Sequence, residues 1–181
     1  EKGVAVHCLK MPRGMVTFIG LYRLLRLFRN LCPNVVQTWM YHADLLGGLM
    51  ARMAGVKSVV WGIRHSTLEQ GKSRKSTIGV AKICAGLSKW IPTRIIVCAD
   101  KAAQVHGNLG YAKDRMIIIP NGYDLELFKP DKAAGEALRN AWGVARQTPL
   151  LGMVARYDPE KDHDNLLIAL KKLVVRQIDF K

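Results

Sequence analysis

Two cations in the last quarter of the chain are the residues best suited to chemistry. Arg156 and Lys161 follow the apolar run Leu150–Val154, which predicts a β-strand, and they precede a stretch with helical periodicity. A guanidinium and an ammonium between the carboxyl end of a strand and a helix N-terminus make a suitable diphosphate site. The alternative is surface ion pairing with the neighbouring Asp158 and Glu160, which contributes little energy.

His65 is a second candidate because of its position after a strand. It follows the apolar run Ser58–Ile63 and opens a polar loop that extends to Ser76. Ligands of open α/β sheets bind outside the carboxyl ends of the strands, so this position favours a functional role. The alternative is a loop histidine without a role. None of the other four histidines shows the spacing of a metal site.

Two further patterns resemble binding motifs but have simpler interpretations. Gly71-Lys72-Ser73 matches only the end of a P-loop, because the glycine required five residues earlier is replaced by Ser66. Asp162-His163-Asp164 resembles a ligand cluster, but an aspartate directly before a helix is more simply an N-cap.

Short β-branched runs alternate with helical periods along the chain, which predicts a parallel sheet covered by helices on both faces. The predicted strands are Val4–Leu9, Val35–Trp39, Ser58–Ile63, Arg94–Cys98, Met116–Ile119 and Leu150–Val154. The predicted helices are Val16–Leu31, one capped by Asp44 and running through Met53, Thr77–Trp90, one capped by Asp100 and ended by Gly110, a short polar helix between Asp131 and Trp142, and Asp164–Arg176.

The charge of the chain is strongly positive and unevenly distributed. The 181 residues include 28 Lys and Arg against 14 Asp and Glu, a net charge of +14. Residues 1–99 carry 15 basic and three acidic side chains, whereas residues 100–181 carry 13 and 11. The basic first part suggests a polyanionic partner, either nucleic acid or an anionic membrane surface. Aromatic residues make up 7% and are not interleaved with basic ones, and no nucleic-acid-binding motif appears.

Other classes of protein are excluded by composition and spacing. A hydrophobic share of 49% is ordinary for a globular chain and argues against disorder. The four cysteines form no Cys-x-x-Cys pair, which argues against a zinc cluster or a disulfide framework. No apolar run reaches 18 residues. The predicted helix Val16–Leu31 has an apolar face flanked by arginines, so it lies either on a membrane interface or against the core with its arginines in solvent.

Four segments taken together resemble the family-four retaining glycosyltransferases. They are Val35–Gly47, the strand that leads to His65, Ile118–Asp124 and Gly152–Asp162. The third contains a Pro-Asn-Gly-x-Asp turn and the fourth an Arg-x-Asp-Pro-x-Lys sequence, in that order along the chain. Each motif alone is weak, but the pair is fairly specific, and the resemblance covers nearly the whole chain.

The resemblance implies a GT-B fold, in which two Rossmann-like domains face each other across a cleft. Residues 1–120 are then the later part of the N-terminal acceptor-side domain and residues 121–148 a linker with a short helix. Residues 149–181 are the first βα unit of the donor-side domain. By resemblance, Arg156 and Lys161 bind the diphosphate of a nucleotide-sugar, and His65 is the catalytic-site histidine that contacts the transferred sugar.

The resemblance also implies partners and a location. The donor is a nucleotide-sugar, the acceptor is lipid-linked or a saccharide, and no metal or other cofactor is needed. Members often work at the cytoplasmic face of a membrane, which suits the basic first part and makes an anionic membrane surface a further partner. The product is then a polysaccharide, lipopolysaccharide or glycolipid. The alternative is a basic module that binds nucleic acid or a membrane surface without catalysis.

Two motifs of the family have no match in the chain, the glycine-rich loop of the first domain and the Glu-x7-Glu pair of the second. We therefore expect an internal fragment of an enzyme, inactive by itself, with the missing motifs encoded on either side.

Overall fold

The computed structural model describes residues 3–12, 14–64, 68 and 75–181, which divide into two compact units at residues 122 and 123. The helices of the described part are α1 (Phe18–Leu31), α2 (Tyr41–Met53), α3 (Lys75–Leu87), α4 (Asp100–Leu109), α5 (Lys132–Ala141) and α6 (His163–Val175). The strands are β1 (Val35–Trp39), β2 (Ser58–Ile63), β3 (Arg94–Val97) and β4 (Met116–Ile118). Short 3₁₀ turns occupy Lys113–Arg115 and Pro159–Lys161.

The four strands form one parallel sheet in the first unit, in the order β1-β2-β3-β4. Trp39 pairs with Gly62, while Ile63 pairs with Val97, which pairs in turn with Ile118. The four strands therefore end at nearly the same level, and the chain leaves each of them at one edge, which we call the carboxyl edge. The predicted α/β class with a parallel sheet is confirmed.

The hydrophobic core lies around the two central strands. Val59, Trp61 and Ile63 of β2 are buried, as are Ile95 and Val97 of β3. Burying each such side chain contributes about 1.5–3 kcal/mol relative to leaving it in water. Helix α2 packs against both β1 and β2 and also against α1 and α3.

Gly48 allows α2 to lie close to β2. A Cβ atom at this position would lie 2.6 Å from Nε1 of Trp61 and 2.8 Å from Cγ2 of Ile91. Neither atom belongs to a flexible, exposed side chain, because Trp61 and Ile91 are both in the core. The absence of a side chain at Gly48 is therefore a packing requirement.

Most predicted elements are present with boundaries within three residues of those expected. The helix predicted over Val16–Leu31 is α1, which begins after Thr17 because the Thr17 hydroxyl accepts a hydrogen bond from the amide of Gly20 at 3.1 Å. The predicted stop at Gly110 is confirmed by its left-handed backbone at φ 106°.

Two predicted strands are absent. Residues Val4–Leu9 form no strand. Val4 and Val6 are exposed, so these apolar side chains are not packed against a neighbouring strand of the described sheet. Leu150–Val154 also forms no regular strand. Among the residues that the structure describes, its backbone pairs at one point, where Lys181 donates to Pro149 O at 3.0 Å and accepts from the Leu151 amide at 2.8 Å.

That pairing has the hydrogen-bond pattern of a parallel bridge between residues 150 and 181. A strand is defined by a ladder of such bonds, and a single bridge is too short to form one. The chain from Leu150 through α6 to Lys181 still follows the order of a β-α-β unit, in which two parallel segments are joined by a helix. Of the βα unit predicted for this region, helix α6 is present and the strand Leu150–Val154 is replaced by this single bridge.

The prediction that Asp44 caps the second helix is wrong. Helix α2 begins three residues earlier, at Tyr41, with Met40 at the N-cap position. Asp44 lies within the first turn, where its side chain is buried at 1% exposure and bonds to the sheet. The caps predicted from Asp100 and Asp162 also lack a side-chain bond, whereas Asp131 does cap α5 by accepting from the Ala134 amide at 2.9 Å.

Candidate functional site

The loop before α6 contains both of the predicted diphosphate-binding cations. Its backbone is closed at two points. The Nε2 atom of His163, in the first turn of α6, donates to the carbonyl oxygen of Arg156 at 2.8 Å. The amide of Lys161 donates to the carbonyl oxygen of Asp158 at 2.8 Å, which forms the 3₁₀ turn. The loop that contains Arg156 and Lys161 is therefore held against the start of α6.

The guanidinium of Arg156 is largely exposed. Its Nη1 atom lies 3.9 Å from Oδ2 of Asp158, with side-chain exposures of 78% and 33%. The surface ion pair between Arg156 and Asp158, which is the simpler interpretation of these two residues, is therefore present. An exposed pair at this distance is worth at most about 1 kcal/mol, so it orients Arg156 without preventing the guanidinium from meeting an anion.

Lys161 and the helix N-terminus complete the electrostatics of the loop. Lys161 is exposed, and Asp162 occupies the N-cap position of α6 with a left-handed backbone at φ 53° and no side-chain bond to the helix amides. Arg156, Lys161 and the positive end of α6 can each interact with an anion, while the four carboxylates of residues 156–164 offset part of this attraction.

The contribution of His163 was not predicted. The sequence marks Asp162-His163-Asp164 as a polar cluster, and the residue type alone does not show that the imidazole bonds to a carbonyl seven positions earlier. The ring of His163 also lies 5.4 Å from the ring of Tyr157, measured between centroids. His163 therefore joins the start of the loop, at Arg156 and Tyr157, to the first turn of α6.

The carboxyl edge of the sheet in the first unit is the second region of interest. The Nη1 atom of Arg64, the residue after β2, donates to Oδ1 of Asn121 at 2.5 Å. The Sγ atom of Cys98, the residue after β3, lies 4.0 Å from the carbonyl oxygen of Arg64. Arg64 therefore connects the end of β2 with the Pro-Asn-Gly turn that follows β4. His65, the predicted catalytic-site histidine, lies outside the described residues, and its role stays a prediction.

Asp124, the last residue of the Pro-Asn-Gly-x-Asp motif, belongs to the second unit and has a local role there. Its Oδ1 atom accepts from the amides of Glu126 at 3.0 Å and Leu127 at 3.1 Å. A carboxylate that accepts two successive amides stabilises a turn. The motif thus contributes one residue to the carboxyl edge and another to the turn that follows.

A buried polar group lies behind the carboxyl edge. The Thr38 hydroxyl donates to Oδ1 of Asp44 at 2.6 Å. Burial raises the pKa of Asp44 to about 7, although the bond from Thr38 and the nearby backbone of Gly62 oppose the shift. The buried site therefore favours the neutral carboxylic acid more than water does.

Tyr41 and His106 form a second buried pair next to Asp44. The Nδ1 atom of His106 lies 2.8 Å from the carbonyl oxygen of Ala102, which can only accept, so Nδ1 carries the proton. The Nε2 atom then accepts from the Tyr41 hydroxyl at 2.7 Å. Burial, with the charge of Asp44 second, raises the pKa of Tyr41 above its ordinary value, which keeps the hydroxyl protonated as a donor.

Within the described residues, no three His, Cys, Asp or Glu side chains come together as a ligand set for a metal ion. None of the helices in that part of the chain combines the length and apolar character needed to cross a bilayer.

A family model described as Glycosyltransferase Family 4 matches residues 2–127 of the chain. The chain is 30% identical over 144 residues to EpsF of Bacillus subtilis (strain 168), which is named provisionally as a glycosyltransferase, covering 77% of this chain and 37% of EpsF. It is also 30% identical over 155 residues to the UDP-Gal:alpha-D-GlcNAc-diphosphoundecaprenol alpha-1,3-galactosyltransferase of Escherichia coli, covering 85% of this chain and 39% of that enzyme.

Solved structures give the same assignment of the fold. The crystal structure of Anabaena HepE in complex with UDP superposes with a TM-score of 0.71 at 18% identity, over 84% of this chain and 40% of HepE. The HepE complex with UDP-glucose gives 0.68 at 16% identity.

The parallel α/β sheet and the family model define the class. The chain belongs to glycosyltransferase family 4, and its fold is that of a Rossmann-like part of a GT-B enzyme. It spans 37% to 40% of the length of the relatives named above.

Proposed function

We propose that the full-length protein containing this chain transfers a sugar from a nucleotide-sugar to an acceptor with retention of configuration. Residues 1–120 belong to the acceptor-side domain, residues 121–148 form the linker, and residues 149–181 begin the donor-side domain. Family membership supports the reaction class. The observation that carries the site is the Arg-x-Asp-Pro-x-Lys loop, which holds two exposed cations against the start of α6.

Arg156 and Lys161 bind the donor diphosphate in this proposal. As the bond between the sugar and the diphosphate breaks, negative charge grows on the leaving phosphate oxygen. Cations already held in place stabilise that charge more than they stabilise the ground state, which lowers the barrier. They supply the charge that a metal ion would otherwise give, so we propose no metal requirement. His65 contacts the transferred sugar beside the reacting carbon.

Substitution of the two cations tests the site in the full-length protein. Arg156→Ala and Lys161→Ala should each lower kcat/KM roughly 30- to 1000-fold. This corresponds to a loss of about 2–4 kcal/mol of transition-state stabilisation, the range for losing one preorganised charge stabiliser. UDP-galactose and UDP-glucose are the donors to test first, because relatives are named with UDP-Gal or solved with UDP-glucose. A GlcNAc-diphospholipid is the matching acceptor.

Arg146→Ala is the matched control. Arg146 is also an exposed arginine of the second unit with a carboxylate partner, Glu136, at 3.8 Å. Its loss should leave turnover unchanged. Turnover equal to that of the wild type in both Arg156→Ala and Lys161→Ala would reject the diphosphate site. His65→Ala should lower kcat, and an unchanged kcat would remove His65 from the reaction.

The outward face of α1 supports an anionic membrane surface as a partner. Phe18 is 93% exposed, and Ile19 and Tyr22 are also exposed. Arg23, Arg26 and Arg29 continue the same exposed face of the helix, while the leucines between them are partly buried. An amphipathic surface with apolar and basic side chains suits the headgroup region of a bilayer. We propose a peripheral position at the cytoplasmic face, with a lipid-linked or saccharide acceptor and a polysaccharide, lipopolysaccharide or glycolipid product.

Vesicle binding tests this surface separately from catalysis. The full-length protein should bind vesicles that contain phosphatidylglycerol more tightly than vesicles of phosphatidylcholine alone. Phe18→Ser should weaken that binding, whereas Trp90→Ser, at an exposed aromatic residue outside α1, should not. Equal binding to both vesicle types would reject the membrane surface. Tight, steeply salt-dependent binding to DNA would favour the alternative nucleic-acid module instead.

A further inference from the structure

The backbone around Arg156 has few constraints of its own. Residues 152–157 belong to no helix or strand, and no backbone–backbone hydrogen bond joins them to another segment of the described chain. Just before this stretch, Leu151 is still held by the bond from its amide to Lys181. The position of Arg156 must therefore depend on bonds that side chains make to it.

His163, the first residue of α6, supplies such a bond. Its Nε2 atom lies 2.8 Å from the carbonyl oxygen of Arg156. A carbonyl oxygen can only accept, so the imidazole donates through Nε2. The ring also lies beside the ring of Tyr157, at 5.4 Å between centroids and 36° between planes. One imidazole therefore joins two consecutive residues of the unpaired stretch to a helix of 13 residues.

The same bond closes the loop that carries both cations. Lys161 lies two positions before His163, and its amide donates to the carbonyl oxygen of Asp158 at 2.8 Å. Lys161 is therefore fixed to the start of α6 through the chain itself, whereas Arg156 is joined to the helix by the imidazole. If the imidazole is lost, the separation of the two cations is no longer fixed.

That separation matters for binding a diphosphate, whose two charged groups are held at a short distance from each other. The Arg156 side chain is 78% exposed, and its pair with Asp158 at 3.9 Å holds it only weakly. An ordered backbone reduces the entropy that is lost when the guanidinium meets an anion, which strengthens binding. It also keeps the cation in place to stabilise the leaving phosphate.

We propose that His163 is a positioning residue of the diphosphate site. Its imidazole holds the backbone of Arg156 against α6 and so sets the place of the guanidinium relative to Lys161. This rests on the proposed function, in which these two cations bind the donor diphosphate. His163 touches neither donor nor acceptor in this proposal. The simpler alternative is that the bond only stabilises the start of α6, where Asp162 makes no side-chain cap.

Three substitutions at position 163 separate the donor atom from the ring. In His163→Gln the side-chain nitrogen is as many bonds from the backbone as Nε2 is, so it can donate to the carbonyl of Arg156. In His163→Asn the nitrogen takes the place of Nδ1, which is not the atom that makes the bond. In His163→Phe a ring remains beside Tyr157, but no donor is left.

Calorimetric binding of nucleoside diphosphates to the full-length protein measures the site without turnover. UDP is the first probe, because HepE is solved in complex with UDP, and GDP and ADP follow. His163→Phe and His163→Asn should weaken binding about three- to tenfold, the range for one hydrogen bond. His163→Gln should bind within about twofold of the wild type. Arg156→Ala should weaken binding more, because it removes the cation itself.

A double-mutant cycle shows whether the effect passes through Arg156. In the Arg156→Ala background, His163→Phe should weaken binding further by less than about twofold, because no guanidinium is left to position. In the Arg146→Ala background the full loss should remain. Arg146 is the matched control, an exposed arginine outside the loop whose carboxylate partner, Glu136, lies at 3.8 Å. A role confined to the stability of α6 would give the same loss in both backgrounds.

Turnover of the donor should follow the same order as binding. At a temperature where circular dichroism shows the variants to be folded, His163→Phe should lower kcat/KM about tenfold to a hundredfold, since misplacement by about 1 Å costs up to this much. His163→Gln should restore it. If His163→Phe does not fold, His163→Asn provides the same comparison.

The outcomes distinguish this proposal from the proposed function. If Arg156→Ala weakens binding but His163→Phe does not, the positioning role is overturned and the diphosphate site stands. Equal losses from His163→Phe in the two arginine backgrounds would have the same meaning. If the wild type binds none of the three nucleotides, or if Arg156→Ala binds them as the wild type does, the diphosphate site is rejected and its positioning residue with it.

Discussion

Substituting Asp44 with asparagine should remove a pH dependence from the stability of the protein. Burial raises the pKa of Asp44 to about 7 in the folded chain, against about 3.9 for an aspartate in an unfolded chain. Between these values the folded state binds more protons than the unfolded state. The free energy of unfolding must therefore fall as the pH rises from about 4 to about 7. The contribution is fully present below pH 4 and lost above pH 7.

The magnitude follows from the difference between the two pKa values. A difference of about 3 units at about 1.4 kcal/mol each gives about 4 kcal/mol over the whole range. Between pH 5 and pH 8, integration of the same two pKa values leaves about 2–3 kcal/mol. Asparagine has the same shape, and its side-chain oxygen can accept from the Thr38 hydroxyl without a charge. The stability of Asp44→Asn relative to the wild type should therefore increase by about 2–3 kcal/mol from pH 5 to pH 8.

Urea unfolding of the full-length protein at several pH values measures this difference. Tryptophan fluorescence is a suitable probe because Trp61 lies fully buried in the same unit as Asp44. Comparing wild type with variant at each pH cancels the titration of groups that do not interact with Asp44. Tyr41 and Cys84 do interact with it, but their pKa values are raised far above this pH range. Asp100→Asn, which removes an exposed carboxyl, should show a constant difference from wild type. A difference between Asp44→Asn and wild type that stays the same from pH 5 to pH 8 would refute the reasoning.

Two further predictions concern packing and capping. Gly48→Ala should cost about 1–3 kcal/mol of unfolding free energy because the added Cβ meets Trp61 at 2.6 Å, whereas Gly79→Ala, in open space on α3, should be stabilising by about 0.5–1 kcal/mol in the same thermal unfolding experiment. Equal effects at the two glycines would contradict the close packing of α2. Asp131→Ala should cost about 1 kcal/mol by removing the bond to the Ala134 amide at the start of α5, and an unchanged helix signal and melting temperature would argue against that cap.

The order and type of the elements in the first unit could be predicted because local rules and tertiary packing agree there. The strands β1, β2 and β3 are short β-branched runs, and burial in a parallel sheet requires this composition. The two absent strands have the same composition. What they lack is a neighbouring strand within the described part of the chain, where Leu150–Val154 pairs through its backbone with Lys181 alone. A strand depends on a second segment, and periodicity in one segment cannot show that the second is in place.

Asp44 shows why part of the site could not be predicted. The rule that aspartate caps helices is local, and it assigned Asp44 to the cap because helical periodicity follows it. The carboxyl instead accepts from the hydroxyl of Thr38, a residue of β1 six positions earlier. The two side chains meet because the chain turns at Met40, which has a positive φ, and starts α2 at Tyr41. The path of that turn is not visible in the residue types, so the contact appears only in three dimensions.

The two regions place their candidate residues by the same device. In each, a residue in the first turn of a helix bonds to the chain that precedes that helix, Asp44 through its carboxyl to the hydroxyl of Thr38 and His163 through its imidazole to the carbonyl of Arg156. Burial raises the pKa of Asp44 to about 7. The charge of this carboxyl therefore changes near neutral pH, and the stability of the first unit changes with it.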